Sequence, residues 1–141
     1  MKARELLEEL LPLIKKGIAP RVAQNLKQGS YYGGRRPEDG KVDWSWPVIQ
    51  IYNLVRAVTE PYPGAFTHLP EDEKLFIWRA LPEKGSVSKC PVGALEFEED
   101  GVFVRALDGR LRLLDIEVGK ERMRGQKIYE FFKKQEGRIL K

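Results

Sequence analysis

Apolar residues near the amino end of the chain recur with the spacing of an amphipathic helix. From Ala3 to Lys16 the apolar side chains form one broad stripe, and the acidic residues of the stretch lie toward the opposite side. Pro12 lies inside this pattern and removes one backbone hydrogen bond, so we expect a bend there. Gly17 follows as a candidate left-handed cap. The members of the stripe are Leu6, Leu7, Leu10, Leu11, Leu13 and Ile14.

A second stripe, with three- and four-residue spacing, predicts another helix in the middle of the chain. Proline suits the first turn of a helix, so we expect the helix to begin near Pro47, with Ser45 as a candidate N-cap. Pro61 restricts the residue before it, so the helix is expected to end by Glu60. The apolar residues on the predicted inner face are Val48, Ile51, Val55 and Val58.

From Glu73 onward the pattern changes to short runs of aromatic, branched and aliphatic residues. Asp-Gly pairs at 100–101 and 108–109 separate such runs, and this dipeptide is a strong hairpin signal. The apolar phase slips between Leu113 and Leu114, which predicts a β-bulge. Short strands joined by tight turns favour a small antiparallel sheet that closes toward a barrel.

Two further segments complete the predicted organisation. The stretch 18–42 is rich in proline and glycine and has no sustained period, so it is predicted to be a linker or a wrapped arm. Gln126–Gln135 shows helical spacing with aromatic and aliphatic residues on one side. Trp44 and Trp46, at the start of the second helix, are expected to anchor the core. The fold class predicted from these patterns is α+β.

Composition limits the kinds of protein that this chain can be. With 141 residues, 42% of them hydrophobic, it suits one globular domain with a helical arm and excludes two full enzyme domains. One cysteine and one histidine exclude an internal disulfide and a structural zinc site. No apolar run approaches the roughly 20 residues that cross a bilayer, and a cytoplasmic location is expected.

The net charge of +4 conceals opposite local balances. Residues 71–118, the predicted sheet, carry seven basic and eleven acidic side chains, whereas residues 119–141 carry eight basic and three acidic ones. Nucleic-acid binding requires a cationic face because its affinity comes largely from neutralised phosphates. The predicted sheet does not have that composition, although the carboxyl-terminal segment does.

No familiar catalytic motif is present, and the isolated candidates have ordinary explanations. The acids Glu98–Asp100 fall on a predicted turn, where we expect them to be solvated. His68 has no acidic or nucleophilic neighbour in sequence, and Cys90 is expected to be a buried, inert thiol. We therefore predict neither a catalytic residue nor a metal ligand in this chain.

The most distinctive segment of the sequence is 31–40, which reads Tyr-Tyr-Gly-Gly-Arg-Arg-Pro-Glu-Asp-Gly. Two further distinctive features are Arg56 and the sequence Pro-Gly-Ala-Phe at 63–66. Together these motifs resemble the region that joins the catalytic domain to the C-terminal domain of folate-dependent formyltransferases. That family includes the methionyl-tRNA formyltransferases and the nucleotide-sugar N-formyltransferases. The resemblance extends over nearly the whole chain, but beyond these motifs it lies mainly in the layout of elements.

The resemblance implies a particular domain organisation. Residues 1–42 would be the terminal helix of a catalytic domain plus its linker, and residues 43–141 would be the OB-like C-terminal domain, a small antiparallel β-barrel. The family places its Asn-His-Asp catalytic set and its 10-formyltetrahydrofolate site in a full N-terminal domain, and nothing here matches it. This chain alone is therefore expected to be inactive and to hold no cofactor. Its helix Leu6–Ile14 would pack against that domain or against a second copy.

The resemblance leaves the substrate open between two branches, and a nucleotide-linked amino sugar is favoured over tRNA. We expect contacts with a sugar nucleotide from Tyr31, Tyr32, Arg35 and Arg36, although packing of the tyrosines and solvation of the arginines are comparable alternatives. A non-catalytic interaction protein is a third possibility. If the partner is tRNA, the expected contacts are Lys27, Arg35, Arg36, Lys41, Lys133 and Lys134.

Overall fold

A computed structural model describes residues 3–31, 33–34, 36–85, 89–99, 101–133 and 138–141, and every structural statement below refers to these residues. They form three α-helices, two short 3-10 turns and six strands. The helices are α1 (Ala3–Lys15), α2 (Val48–Val58) and α3 (Gln126–Phe132), and the 3-10 turns are Leu26–Gln28 and Pro37–Gly40. The strands are β1 (Ala65–His68), β2 (Lys74–Lys84), β3 (Leu95–Glu98), β4 (Gly101–Arg105), β5 (Gly109–Val118) and β6 (Glu121–Arg124).

The chain divides into two compact units, Met1–Gly34 and Arg35–Lys141. The first unit contains α1, which confirms the amino-terminal helix, and no residue of this helix is buried. Gly17, at φ 70°, donates to the carbonyl of Ile14, and Ile18 donates to that of Leu13. These bonds are those of a left-handed helix cap, as expected for this glycine. The predicted boundary at residue 42 stays a prediction.

The second unit is built on one antiparallel sheet. Its strand order is β1-β2-β5-β4-β3, with β6 paired to β5. The predicted hairpins are present, because β3 pairs with β4 and β4 pairs with β5. The bulge is confirmed as well: Arg79 pairs with Asp115 and Ala80 with Leu113, so Leu114 is an extra residue on β5.

Helix α2 packs against the sheet through the side that its spacing predicted. Val48, Ile51, Val55 and Val58 are all buried. Its amino terminus is capped by Asp108, whose carboxylate accepts from the Val48 amide at 2.7 Å. The expectation that Ser45 caps this helix is wrong, because its hydroxyl donates to Asp43 instead. The turn between β4 and β5 thus holds the start of α2.

The carboxyl-terminal residues hydrogen-bond to both ends of the strand order. Ile139 forms a bridge with Ala94, beside β3, while Lys141 exchanges two backbone bonds of 2.9 Å with His68 of β1. Among the described strands β1 and β3 do not pair with each other, so the strand pairing leaves the sheet open and the predicted barrel is not confirmed. What is established is a mixed fold of helices and an antiparallel sheet.

The environments of the remaining predicted core and surface residues follow from these elements. Trp44 is buried, and its indole N–H donates to the Thr67 hydroxyl at 3.1 Å. The expectation of a buried thiol is wrong, because Cys90 is exposed in the connection between β2 and β3. None of the helices in the described part of the chain is long and apolar enough to span a bilayer.

Candidate functional site

The predicted site residues are divided between the two units. Tyr31, which is 94% exposed, and Lys27 belong to the first unit. Arg36, Lys41 and Lys133 belong to the second unit and are all exposed. Tyr32, Arg35 and Lys134 lie outside the described residues. Of the predicted set, Lys41 lines a cleft of about 470 Å³ beside Trp44, and Arg36 lines a separate cleft.

This cleft, which we call the motif cleft, has a volume of about 370 Å³, within the size range of small-molecule sites. It is formed by Arg36 and the 3-10 turn that follows it, the end of α2 and the turn that follows α2. Both motifs behind the family resemblance thus contribute to one surface. The lining residues are Arg36, Pro37, Gly40, Ala57, Val58, Tyr62, Pro63 and Gly64.

Two glycines allow the walls of the motif cleft to approach each other. A Cβ at Gly40 would lie 2.5 Å from the carbonyl oxygen of Gly64, far inside van der Waals contact. Gly64 itself has φ 90°, and its amide donates to the carbonyl of Val58 at 2.8 Å. Next to this contact, the amide of Val42 donates to the carbonyl of Phe66 at 2.8 Å. A side chain at Gly40 would therefore force the two motifs apart, whereas one at Gly64 would meet the Trp78 ring.

The backbone of Arg36 is fixed while its side chain is exposed. The carboxylate of Asp39 accepts from the Arg36 amide at 2.8 Å, and the Asp39 amide donates back to the Arg36 carbonyl at 3.0 Å. Asp39 thus bonds to the main chain of Arg36. Arg36 lines a cleft whose walls are largely apolar.

A charged cluster supports the turn after α2. Asp115 on β5 is only 1% exposed and accepts bonds of 2.7–3.0 Å from Arg122 and Arg124 on β6. Arg122 also bonds to Glu60, next to the motif cleft, at 2.6 Å. Burial by itself raises the pKa of Asp115, but the hydrogen bonds from the two guanidinium groups outweigh it and lower that pKa below 3.8.

Trp78 lies beneath the same turn. A Cβ at Gly64 would lie 2.9 Å from the Trp78 ring, and the Thr59 hydroxyl donates to the Trp78 carbonyl at 2.9 Å. The indole N–H donates to Glu117 at 3.0 Å, and the Phe76 ring stacks on the indole. The wall of the motif cleft therefore rests on a side chain that is held from several directions.

A second charged cluster contains three of the eleven acidic side chains of residues 71–118. Arg110 is in ion-pair contact with Glu83, Glu96 and Glu98, and its guanidinium lies 4.0 Å from the centre of the Phe103 ring. The hydrogen bond from Arg110 lowers the pKa of Glu98. These acids pair within the sheet, and in the described part of the chain no group of three or more potential ligands is arranged to hold a metal ion.

Sequence reasoning missed part of the motif cleft. The sequence motifs assign no binding role to Ala57, Val58 or Tyr62, which line this cleft. The available signal was that Arg36 and the 63–66 segment both belong to motifs shared with one family. Their proximity depends on the pairing of Val42 with Phe66, which spans more than twenty residues.

Replacing Gly40 with alanine is expected to separate the two motifs and to lower the free energy of unfolding by roughly 1–3 kcal/mol. The new Cβ would meet the Gly64 carbonyl oxygen at 2.5 Å, so the backbone must shift. Urea denaturation measures the change. Gly33→Ala is the control, since its Cβ has nothing within 4 Å. Equal unfolding curves for the two variants would contradict the close contact.

Known proteins resemble the part of this chain that contains the motif cleft. A family model described as "Formyl transferase, C-terminal domain" matches residues 35–134, which is more than half of the chain. A variant of HypX from Aquifex aeolicus is similar in structure, with a TM-score of 0.62, 19% sequence identity and 92% of this chain covered. HypX from the same organism in complex with tetrahydrofolic acid gives a TM-score of 0.58, 19% identity and 94% coverage.

These structural similarities show the shared fold, and they also show a difference in length. The chain spans only 23% of either of these HypX chains. The family match begins next to Arg36 and includes the whole motif cleft and nearly all of the sheet. On that match, this chain belongs to the formyl transferase C-terminal domain family.

Proposed function

We propose that the chain is the C-terminal, substrate-positioning part of a 10-formyltetrahydrofolate-dependent formyltransferase. The observation that carries the proposal is the motif cleft, which lies inside the family match and joins both family motifs. The chain spans about a quarter of HypX, so the folate site and the reaction are assigned to a catalytic domain outside these residues. One similar HypX structure contains tetrahydrofolic acid, which supports the link to folate chemistry.

The favoured substrate is a nucleotide-linked amino sugar. A guanidinium presents forked donors that suit a pyrophosphate, and Arg36 lines the motif cleft. Pro37 and Pro63 supply apolar walls, and Tyr62 adds an exposed aromatic ring and a hydroxyl. Such a combination of apolar walls and few polar groups is typical of small-ligand sites. Contacts of Tyr31, Tyr32 and Arg35 with the sugar nucleotide remain predictions from the sequence motif.

The proposal includes the OB-like barrel, with the carboxyl-terminal segment as its closing strand. Leu140 donates to the carbonyl of Gly93 at 2.9 Å on the β3 side, and Lys141 pairs with His68 on the β1 side. A Cβ at Gly93 would lie 2.5 Å from the Leu140 carbonyl oxygen, so the segment fits closely at a glycine. Residues 138–141, which bond to β1 and to the residues at and beside β3, would thus close the barrel.

The proposed partner of α1 is the catalytic domain, with a second copy of the chain as the alternative. Leu7, Leu11 and Ile14 lie on this helix and are 46–58% exposed. An apolar stripe of this size is normally covered in a soluble protein. Adding an independently expressed formyltransferase catalytic domain should slow amide exchange in α1, whereas a self-association signal would favour the second copy.

A nitrogen-15 NMR titration with UDP and a UDP-linked amino sugar tests the proposed site. We expect saturable shifts at the amides of Tyr62 and Gly64, and we expect Arg36→Gln to weaken binding about tenfold, as the loss of one charge-assisted bond should do. Arg79→Gln is the control, because Arg79 is an exposed arginine on β2 and does not line the motif cleft. Absence of shifts at millimolar ligand would remove this substrate assignment.

The same NMR assay tests the tRNA alternative, which is favoured by the basic composition of residues 119–141. An RNA acceptor-stem hairpin would then shift residues near Lys41 and Lys133 and bind less tightly as salt is raised. Saturable binding of this kind without any response to UDP would replace the sugar nucleotide with RNA. A response to neither ligand would favour the non-catalytic interaction protein.

A further inference from the structure

We propose that Arg122 is a positioning residue for the motif cleft, acting through Glu60 and Trp78 on the turn that forms one wall. The proposal rests on the proposed function only in taking this cleft as the substrate site. No motif suggests the role, because Arg122 lies on a four-residue edge strand and does not line the motif cleft itself.

Arg122 joins a buried acid to a largely exposed one. Its Nε donates to Oδ1 of Asp115 at 2.8 Å and its Nη2 to Oδ2 at 3.0 Å, and Asp115 is held inside the sheet. The remaining nitrogen, Nη1, donates to Glu60 at 2.6 Å. The Glu60 side chain is 59% exposed, so this contact limits the conformations that it can adopt.

Arg122 also contacts the ring of Trp78, which lies under the turn after α2. Its guanidinium carbon lies 5.3 Å from the centre of the Trp78 ring, within the range of cation–π attraction. Gly64 rests on the same ring, and Thr59 bonds to the Trp78 carbonyl. Both ends of the 59–64 segment therefore meet the pair formed by Arg122 and Trp78.

The segment held in this way carries Tyr62 and Pro63, which line the motif cleft. Pre-organised binding groups lose less conformational freedom on binding, so fixing the wall should raise affinity. Release of Glu60 would let the wall move without removing any group that lines the motif cleft. The expected signature is weaker binding together with increased local opening in a folded protein.

Arg124 provides a matched comparison. It lies on the same strand and donates to the same carboxylate of Asp115 at 2.7 Å. Among the described contacts it reaches neither Glu60 nor Trp78. A purely structural effect of removing one arginine from Asp115 should appear in both variants, whereas a positioning effect should appear only when Arg122 is changed.

The test compares Arg122→Gln, Arg124→Gln and Glu60→Gln in two measurements, the dissociation constant for UDP and amide exchange at Gly64. The Gly64 amide reports on the turn because it bonds to the Val58 carbonyl. We expect Arg122→Gln and Glu60→Gln to speed this exchange and to weaken UDP binding about fivefold. Arg124→Gln should leave both quantities within about twofold of the original protein.

The outcomes separate this inference from the proposed function. If the unmodified protein does not bind UDP, the substrate assignment fails, and exchange at Gly64 alone decides the role of Arg122. Equal effects of Arg122→Gln and Arg124→Gln on exchange would overturn the inference. If Arg122→Gln does not fold, Glu60→Gln decides in its place, because that side chain is largely exposed; unchanged exchange and binding would contradict the positioning role.

Discussion

Replacing Asp115 with alanine is expected to lower the free energy of unfolding by roughly 1–3 kcal/mol, because it removes the charge-assisted hydrogen bonds that two partly exposed guanidinium groups make to a buried acid. The carboxylate is 1% exposed and bonds to both Arg122 and Arg124. Urea denaturation at neutral pH measures the loss. Glu121→Gln is the control, since it removes an exposed acid from the neighbouring strand β6. A loss no larger than that of the control would mean that the buried pair contributes little.

The same carboxylate should make stability depend on pH. The hydrogen bonds from the two arginines hold the pKa of Asp115 below 3.8 in the folded protein, so the unfolded chain takes up a proton first as pH falls. The stability that the Asp115 carboxylate contributes is present above about pH 4 and is lost as pH falls through the lowered pKa of Asp115. Asp115→Asn cannot titrate, so its stability deficit should shrink in acid. A constant deficit would show that Asp115 is not the titrating group.

Replacing Leu140 with alanine is expected to lower the free energy of unfolding by about 3 kcal/mol, even though it lies one residue from the end of the described chain. Its side chain is only 3% exposed and belongs to the core, and its amide bonds to Gly93. Thermal and urea denaturation both measure the change. The result would show that the carboxyl-terminal segment is part of the sheet's packing.

The adjacent residue supplies the comparison. Ile139 is 43% exposed, and Ile139→Ala should cost about 1 kcal/mol or less, as substitutions at exposed positions usually do. Amide exchange at His68 gives an independent readout, because its N–H bonds to the backbone of Lys141. If Leu140→Ala leaves this amide and the stability unchanged, the segment does not close the sheet.

The local pattern of apolar and polar residues was sufficient to predict the elements that have apolar residues along one face. The spacing of its apolar residues predicted the buried side of α2, and Pro47 and Pro61 predicted where it begins and ends. The phase slip at Leu114 predicted the extra residue on β5. These predictions succeed because periodicity is a property of consecutive residues and does not depend on which other element covers the face.

Two strands escaped prediction for a physical reason. β1 comprises Ala65–His68 and β6 comprises Glu121–Arg124, and each has only four residues. β6 has one buried side chain, Met123, among charged residues, so it carries no alternation of its own. It is a strand because β5 offers backbone partners and because Asp115 binds two of its arginines.

The candidate site was predicted in part. The family motif directed attention to Arg36, and the structure places this residue in the lining of the motif cleft. The wall opposite could not be derived from spacing, because it is set by the approach of Gly40 to Gly64 across the sheet edge. Lys27 and Tyr31 remain predicted contacts, and they belong to the other compact unit.

By itself, the sequence determined the α+β composition, the inner face of α2, the hairpins and the family whose motifs the chain carries. Only the tertiary structure decided which residues meet: Asp108 caps α2, Arg122 joins Asp115 to Glu60, and Gly40 meets Gly64. The reason is that periodicity records the environment of neighbouring residues, whereas a cleft is formed by residues distant along the chain that the sheet brings together.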